Sequence, residues 1–238
     1  MTMKSDHNDY QRGYYTGRPL PRLSPELTGT PYVRRQAREV VSQLGLLPGA
    51  TILDVGCGLG KYSAALVELG LNVEGLDLTP ALIEDLSARR PDIPTHVGDA
   101  ASPPPELAGR FDAAIGFFFL HHVDDLAAVF AGMRSAVKPG GRVAFLEPNP
   151  FFPGYYLQIT LARDMTWQAE RGMLNMRPAV VAPAAAKAGM RLVHHAAFGA
   201  LPPGLRNRKW GRTFERIAES LPLWNRVGAF RLLILEST

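Results

Sequence analysis

Apolar and polar positions along this chain alternate between a helical and an extended period. From Tyr32 to Leu46, Val33, Ala37, Val40, Val41 and Leu44 share one helical face, which predicts an amphipathic helix closed by Gly45 and Pro48-Gly49. Thr51 to Val55 is a β-branched and apolar run of a length suited to a buried strand. Lys61 to Glu68 then reads as a helix start, and Gly70 closes it. Asn72 to Asp77 is a second strand. Thr79-Pro80 supplies an N-cap and first-turn pair for a helix running to about Arg90. Thr95 to Gly98 is a short third strand, and Ser102-Pro103-Pro104-Pro105 a stiff turn. Phe111 to Gly116 is a fourth strand that runs through Phe117 to Val123 into a loop. Asp124 is read as the cap of a helix from Leu126 to Val137, Lys138 to Arg142 as a tight turn, and Val143 to Glu147 as the fifth strand. Five strands alternating with helices argue for an α/β fold with a parallel, doubly wound sheet. In such a sheet ligands sit at the carboxyl ends of the strands.

Beyond Glu147 this rhythm breaks. Pro148 to Tyr156 is aromatic and turn-rich, and Leu157 to Arg177 is expected to be partly helical. We read residues 148–177 as an insertion roofing the substrate site. Ala179 to Ala188 reads as a helix ended by Gly189, Arg191 to Phe198 as a strand, Arg206 to Ser220 as a basic amphipathic helix, and Val227 to Leu235 as a last strand. Residues 1–30 are polar and rich in Gly, Pro and Tyr. They read either as a lid arm folding over a ligand or as a tail docking its aromatics on the surface. With no repeat and no linker, 1–238 is expected to be a single domain.

Composition narrows the class. The 238 residues are 46% hydrophobic and 20% charged, ordinary for a globular protein. No run of 18 apolar residues is present, and the polar N-terminus lacks the apolar core of a signal peptide. A single cysteine, Cys57, cannot form an internal disulfide, so the expected location is the reducing cytoplasm. The net charge of +4 is uneven: residues 1–35 carry +3 and residues 201–238 carry +4, on a body of −3. Basic ends favour an anionic substrate or peripheral contact with a membrane surface, unless they are simply solvated arginines.

The chemistry centres on Asp54-Val55-Gly56-Cys57-Gly58-Leu59-Gly60-Lys61-Tyr62. A strand, a glycine turn and a helix start make a nucleotide or cofactor site, because missing Cβ atoms let the backbone approach the ligand. The dinucleotide fingerprint fails at Lys61, where a glycine is needed. The P-loop pattern fails at Val55 and Tyr62. Asp77, 21 residues after Gly56, stands where an α/β nucleotide fold sets a carboxylate against ribose hydroxyls.

D-V-G-C-G-L-G, followed by L-D-L-T, G-D-A, F-D-A-A-I-G…L-H-H-V-D-D, K-P-G-G and F-L-E-P, resembles the motif series of class I S-adenosylmethionine-dependent methyltransferases of the bacterial small-molecule type. The resemblance covers roughly residues 32–147. It implies a Rossmann-like, mostly parallel seven-stranded sheet of order 3-2-1-4-5-7-6, strand 7 antiparallel, with helical lid elements. It implies S-adenosylmethionine as cofactor and S-adenosylhomocysteine as product. Gly56, Cys57, Gly58 and Gly60 would then meet the methionine part, with Asp54 behind them. Asp77 would meet the ribose, Leu78 the adenine, and Asp99-Ala100 the adenine edge. Phe117 and His122 would lie near the sulfonium. The Asn/Asp-Pro-Pro-Tyr/Phe motif of enzymes that methylate adenine amines or glutamine is replaced by Gly116-Phe117-Phe118-Phe119, and Cys57 is in the wrong place for a cytosine-C5 nucleophile.

The expected function is methylation of a small, partly apolar acceptor in the biosynthesis of a secondary metabolite or lipid, on oxygen rather than nitrogen or carbon. No metal is expected and no nucleic-acid module is present. A hydroxyl acceptor needs a base, and histidine suits neutral pH. His122 is the first choice, His121 the second and Glu147 the third. In some members of the resembled class a tyrosine of the N-terminal arm completes a latch, here Tyr14 or Tyr15. Phe118, Phe119, Phe151, Phe152, Tyr155, Tyr156 and Trp167 could build an apolar pocket. Arg206, Arg208, Lys209 and Arg212 could meet a phosphate, a carboxylate or lipid headgroups. The rival readings are an RNA methyltransferase, suggested by the basic ends, and a non-catalytic S-adenosylmethionine-binding protein.

Overall fold

In the computed structural model, residue 13 and residues 24–162 and 165–238 are described. A one-turn helix, Pro25–Leu27, leads into α1 (Pro31–Leu44). The start of α1 is fixed locally: the Thr30 hydroxyl accepts from Val33 N, Pro31 opens the helix, and Gly45 ends it at φ 66°. Then follow β1 (Thr51–Val55), α2 (Lys61–Val67), β2 (Asn72–Asp77), α3 (Pro80–Arg89) and β3 (Thr95–Val97). After a turn at Pro105–Leu107 come β4 (Phe111–Phe117), a one-turn helix at Leu120–His122, α4 (Leu126–Ala136) and β5 (Val137–Pro148). The last third holds α5 (Pro153–Leu161), α6 (Trp167–Glu170), a further short helical stretch Arg171–Met176, α7 (Pro178–Lys187) and β6 (Met190–Phe198). It closes with α8 (Pro203–Arg206), α9 (Lys209–Glu219), α10 (Trp224–Val227) and β7 (Phe230–Ser237).

Seven strands form one sheet in the order β3-β2-β1-β4-β5-β7-β6. The pairs from β3 to β5 are parallel, whereas β7 runs antiparallel to both β5 and β6. This is the expected Rossmann-like order. Strand alternation splits the core into two layers. Ile52, Ile115, Leu146 and Ile234 face α1 and α2, packing on Val33, Val40 and Leu66. Leu53, Val55, Phe145 and Leu233 face the other way, onto Phe130 and Met133 of α4 and Val181 of α7. Among the described residues, no helix is long and apolar enough to cross a membrane.

Several boundaries differ from expectation, each for a local reason. Asp125, not Asp124, caps α4, because the carboxylate next to the first helical residue is the one that reaches Ala128 N, at 3.0 Å. Lys138 to Arg142 is not a turn outside the sheet. β5 begins at Val137, opposite Phe111, and resumes at Arg142, opposite Ala113, so the intervening residues bulge outward. Gly140 takes φ 79° there, and Lys138 Nζ closes on Asp112 at 2.7 Å. The helix expected from Arg206 to Ser220 is split at Asn207-Arg208, where the Asn207 side chain accepts from Tyr32 N. β7 begins at Phe230 rather than Val227, because residues 224–227 close a helical turn first.

The segment 148–177 packs on the turn at Leu120–His122: His121 reaches across to Glu170, and Ile159, Met165 and Met173 form their own small apolar cluster. Most of the 1–30 arm, including Tyr14 and Tyr15, lies outside the described residues. In its described part, Thr28 Oγ1 donates to Lys61 O at the start of α2.

Candidate active site

The carboxyl ends of β1, β2, β3 and β4 each release a loop, and the four loops enclose one cavity. The first loop lies tight against its neighbours. Gly56 N donates to Leu76 O at 2.7 Å, and Gly56 sits at φ 68° with the Phe119 ring where a Cβ would go, 2.4 Å away. Only glycine fits both the backbone angle and the space. Cys57 and Gly58 follow along the cavity wall. The Cys57 thiol is pushed well up by burial and by the charges of Asp77 and Asp54, so it is an apolar filler rather than a nucleophile.

Asp77 ends β2 and faces the cavity. One of its oxygens accepts from Gly58 N and the other from Thr79 N, both at 2.9 Å. Burial raises its pKa and these bonds partly offset the rise. Leu78 lies beside it, and Asp99 and Ala100 close the far wall. Asp99 is steadied by Ala101 N at 2.9 Å.

The β4 loop forms the opposite side. Phe117 is held by a parallel stack on Tyr62, with ring centroids 4.1 Å apart. Phe118 has φ 54°, the positive φ of a non-glycine residue among the described ones. That strain needs an anchor, and Glu147 at the end of β5 supplies it. This fully buried carboxylate accepts from Phe119 N (3.0 Å), Leu120 N (2.7 Å) and His121 N (3.4 Å). Its second oxygen lies 2.5 Å from His121 Nδ1, while His121 Nε2 faces Glu170 at 3.3 Å. Tyr155 donates to that same Glu170 oxygen at 2.6 Å. Burial alone would lower the His121 pKa. The charges and hydrogen bonds of Glu147 and Glu170 outweigh it and raise the value to about 9. Conversely, Glu170 is held at about 2, since His121, His122 and Tyr155 outweigh its burial.

The structure therefore brings Gly56, Cys57, Gly58, Asp77, Leu78, Asp99, Ala100, Phe117 and His122 to one cavity. Asp54 and Gly60 do not line it. Asp54 is buried behind the loop, with Ser63 Oγ donating to it at 2.5 Å, and burial raises its pKa to about 7. Gly60 sits at φ 78° where α2 begins, against Leu86 of α3. His121 is also outside the cavity wall: it is buried between two carboxylates, with its ring 3.9 Å from that of His122. A side chain so enclosed cannot touch an acceptor in this cavity, and neither can Glu147 behind it. Of the seven aromatics expected at the pocket, Phe118 and Phe119 line it; the others do not.

His121, His122 and Glu170 carry possible ligand atoms within 4.8 Å of one another, a spacing usable by a metal ion. Here two of the three are engaged with each other, His121 Nε2 facing Glu170 at 3.3 Å. Sequence reasoning did not find Glu170 and took Tyr155 for a pocket aromatic, because nothing local ties residues 155 and 170 to a histidine pair at 121. Nor did it find Tyr62, whose stack on Phe117 depends on the fold.

Comparison with known proteins bears on this geometry. Residues 30–195 match the model of a methyltransferase domain. The chain is 36% identical over 145 residues to a demethylmenaquinone methyltransferase of Renibacterium salmoninarum, covering 60% of this chain and 61% of that protein. It is 37% identical over 99 residues to a ubiquinone biosynthesis O-methyltransferase of Xanthomonas campestris pv. campestris, covering 40% and 41%. The chain thus spans less than two thirds of these relatives. Its fold is similar to that of a geranyl diphosphate C-methyltransferase from Streptomyces coelicolor, with TM-score 0.61, 17% identity and 98% of each chain covered. A further fold match is a SAM-dependent methyltransferase from Archaeoglobus fulgidus, with TM-score 0.59, 16% identity, and 90% and 95% covered.

Proposed function

The chain belongs to the methyltransferase-domain family, and from that premise we propose that it transfers the methyl group of S-adenosylmethionine to a hydroxyl of a small, partly apolar acceptor. The observation that carries this reading is the meeting of a glycine loop, two strand-end acids and one histidine in a single cavity. When bound, S-adenosylmethionine supplies a sulfonium-activated methyl group and is released as S-adenosylhomocysteine.

The residues present fit that cofactor. Gly56 has no side chain to block the loop, and Phe119 already fills the only space a Cβ would need. Asp77, oriented by Gly58 N and Thr79 N, presents a carboxylate to the cavity where a ribose diol could donate. Leu78, Ala100 and Phe117 offer apolar walls for an adenine and its sulfonium neighbour, and Asp99 an acceptor for the adenine amino group. Gly60 and Asp54 support the loop from behind. These roles make the cavity a positioning device, and holding two reactants aligned supplies about 7–11 kcal/mol of a barrier.

His122 is proposed as the base that takes the acceptor's proton. It is the histidine on the cavity wall, and its turn is fixed by Glu147 through three backbone N–H groups. His121, locked between Glu147 and Glu170, acts as a positioning residue for His122. Tyr14 or Tyr15 of the arm is proposed to complete a latch with His122, and residues 148–177 to roof the substrate site.

The relatives named for demethylmenaquinone and ubiquinone biosynthesis point to an acceptor of the quinone class, and the one named an O-methyltransferase to a ring hydroxyl, consistent with Phe118 and Phe119 on the wall. A buried thiol and no disulfide fit a cytoplasmic location. The test is transfer of a labelled methyl group from S-adenosylmethionine to a panel of catechols, quinols and amines, with product mass and position read by mass spectrometry and NMR. Labelled ethers from the hydroxyl acceptors support the proposal. Labelled amines alone, or label on ring carbon alone, overturn the oxygen assignment. Cofactor binding with no label in any acceptor favours a non-catalytic binding protein.

A further inference from the structure

α9 is amphipathic in the wrong sense for a helix that merely caps a domain. At 100° per residue, Trp210, Phe214 and Ile217 fall on one narrow stripe, continued by Leu221 just past the helix end. All four are exposed, at 54%, 53%, 63% and 56% respectively. The acids of α9 point the other way. Glu215 is buried, pairing with Arg35 at 2.7 Å and with Arg206, and accepting from Ala200 N. Glu219 pairs with Arg35 at 2.7 Å and accepts from Gly199 N. They are the acids between residues 201 and 228. The outward surface of this segment is therefore apolar and basic. From the stripe it passes through Thr213 and Ser220 to the exposed Lys209 and Arg216, with Arg208 and Arg226 exposed at either end. An ordinary surface helix buries its apolar face and shows its charges to water. Here the polar pairs are buried and the large apolar groups are presented.

The position of α9 adds to this. β6 is parallel to β5, so the chain from Gly199 to Ala229 joins the carboxyl end of β6 to the start of β7. That is the sheet edge at which the cavity opens. Phe230, the first residue of β7, packs on Phe118 of the cavity wall at 5.5 Å and on Tyr32 at 5.8 Å. Phe151, 53% exposed, follows three residues after β5 at the same edge.

We propose that α9 is an interfacial helix that docks this protein on an anionic lipid bilayer, its Trp210–Phe214–Ile217–Leu221 stripe entering the headgroup–acyl boundary. Lys209 and Arg216 then lie at the level of lipid phosphates, the usual layout of a helix resting in an interface. Charge complementarity selects this occupant: a segment whose acids are all turned inward presents net positive charge beside its apolar stripe. Docking sets the cavity's edge of the sheet toward the membrane, so an apolar acceptor dissolved there has a short path in. This surface is independent of the transfer chemistry.

The test is co-sedimentation of the full chain with vesicles of phosphatidylcholine alone and with added phosphatidylglycerol, in low and high salt. The expected result is binding to the anionic vesicles that weakens with salt. The pair Trp210→Ser/Phe214→Ser and, separately, the pair Lys209→Glu/Arg216→Glu should each reduce partitioning by about tenfold or more. Because all four side chains are exposed, melting temperatures should match the unaltered chain, which separates lost docking from lost folding. No binding to anionic vesicles at low salt overturns the proposal, as does binding insensitive to both double variants. If the chain is a dimer by light scattering, binds no vesicles, and becomes a monomer on Trp210→Ser/Phe214→Ser, the stripe is a contact between copies and the proposal falls.

Discussion

His121 Nδ1 lies 2.5 Å from Glu147 Oε2, and both side chains are shut away from solvent. The pair joins the turn after β4, which builds one side of the cavity, to the end of the neighbouring strand β5. The same carboxylate holds three backbone N–H groups of that turn. Glu147 thus fixes where His122 stands without touching the cavity itself.

Breaking this pair should be costly. Glu147→Gln leaves His121 beside Glu170 alone and weakens the anchor of a strained turn. A loss of about 3–5 kcal/mol is expected, as for removal of one partner from a buried ion pair. Chemical denaturation measures it, and a loss below about 1 kcal/mol would mean that the pair does not hold the turn.

The pair also sets a pH dependence. His121 titrates near 9 in the folded chain against an ordinary 6.5, so the folded state holds its proton more tightly. Its stabilisation is complete below about pH 6.5 and is lost as pH rises through 9, on the order of 3 kcal/mol in all. Melting temperature should fall across that window, and His121→Gln should flatten the fall. Asp54 adds a separate slope at lower pH. Its pKa is raised to about 7 by burial, so stability declines between about pH 4 and 7 as the unfolded chain's carboxyl ionises while the folded one still holds its proton. Asp54→Asn should remove that decline.

His122→Ala should lower turnover by about 10²–10⁴, the range for loss of a general base. Affinity for S-adenosylhomocysteine should change little, since the proposed base serves the acceptor. Steady-state rates beside a calorimetric titration separate the two effects. Unchanged turnover would remove His122 from the mechanism.

Gly56→Ala tests the cradle. Its Cβ would meet the Phe119 ring at 2.4 Å while the backbone keeps φ 68°. Strain and overpacking together should cost roughly 2–4 kcal/mol. The displaced Phe119 would also reshape the cavity wall, so cofactor affinity should fall with stability. A stable variant with normal cofactor binding would contradict the close approach described here.

The strands that place the cofactor loops were legible because their signals are local. Thr51 to Val55, followed by a glycine, and Asn72 to Asp77, ended by an acid, read as strands, and their bounds in the structure match. The full sheet order needed the resemblance, since nothing in the composition of β7 announces an antiparallel strand. What the sequence hid is contact made across distance. Glu147 reads as a third-choice base at a strand end until the fold sets it under residues 119–121. Glu170 and Tyr155 lie in a stretch with no clear period and join His121 only through tertiary packing. The break at Asn207 likewise follows from a side chain that reaches Tyr32 of α1, which no helical period encodes.

The central claim is that this cavity binds S-adenosylmethionine through Asp77. Calorimetric titration with S-adenosylhomocysteine, and separately with NAD, tests it directly. The account predicts one site of micromolar affinity or tighter for S-adenosylhomocysteine and no heat with NAD. Asp77→Ala should weaken that site about a hundredfold, since two hydrogen bonds to a charged acceptor are lost. Binding of NAD instead, or full affinity retained in Asp77→Ala, would contradict it.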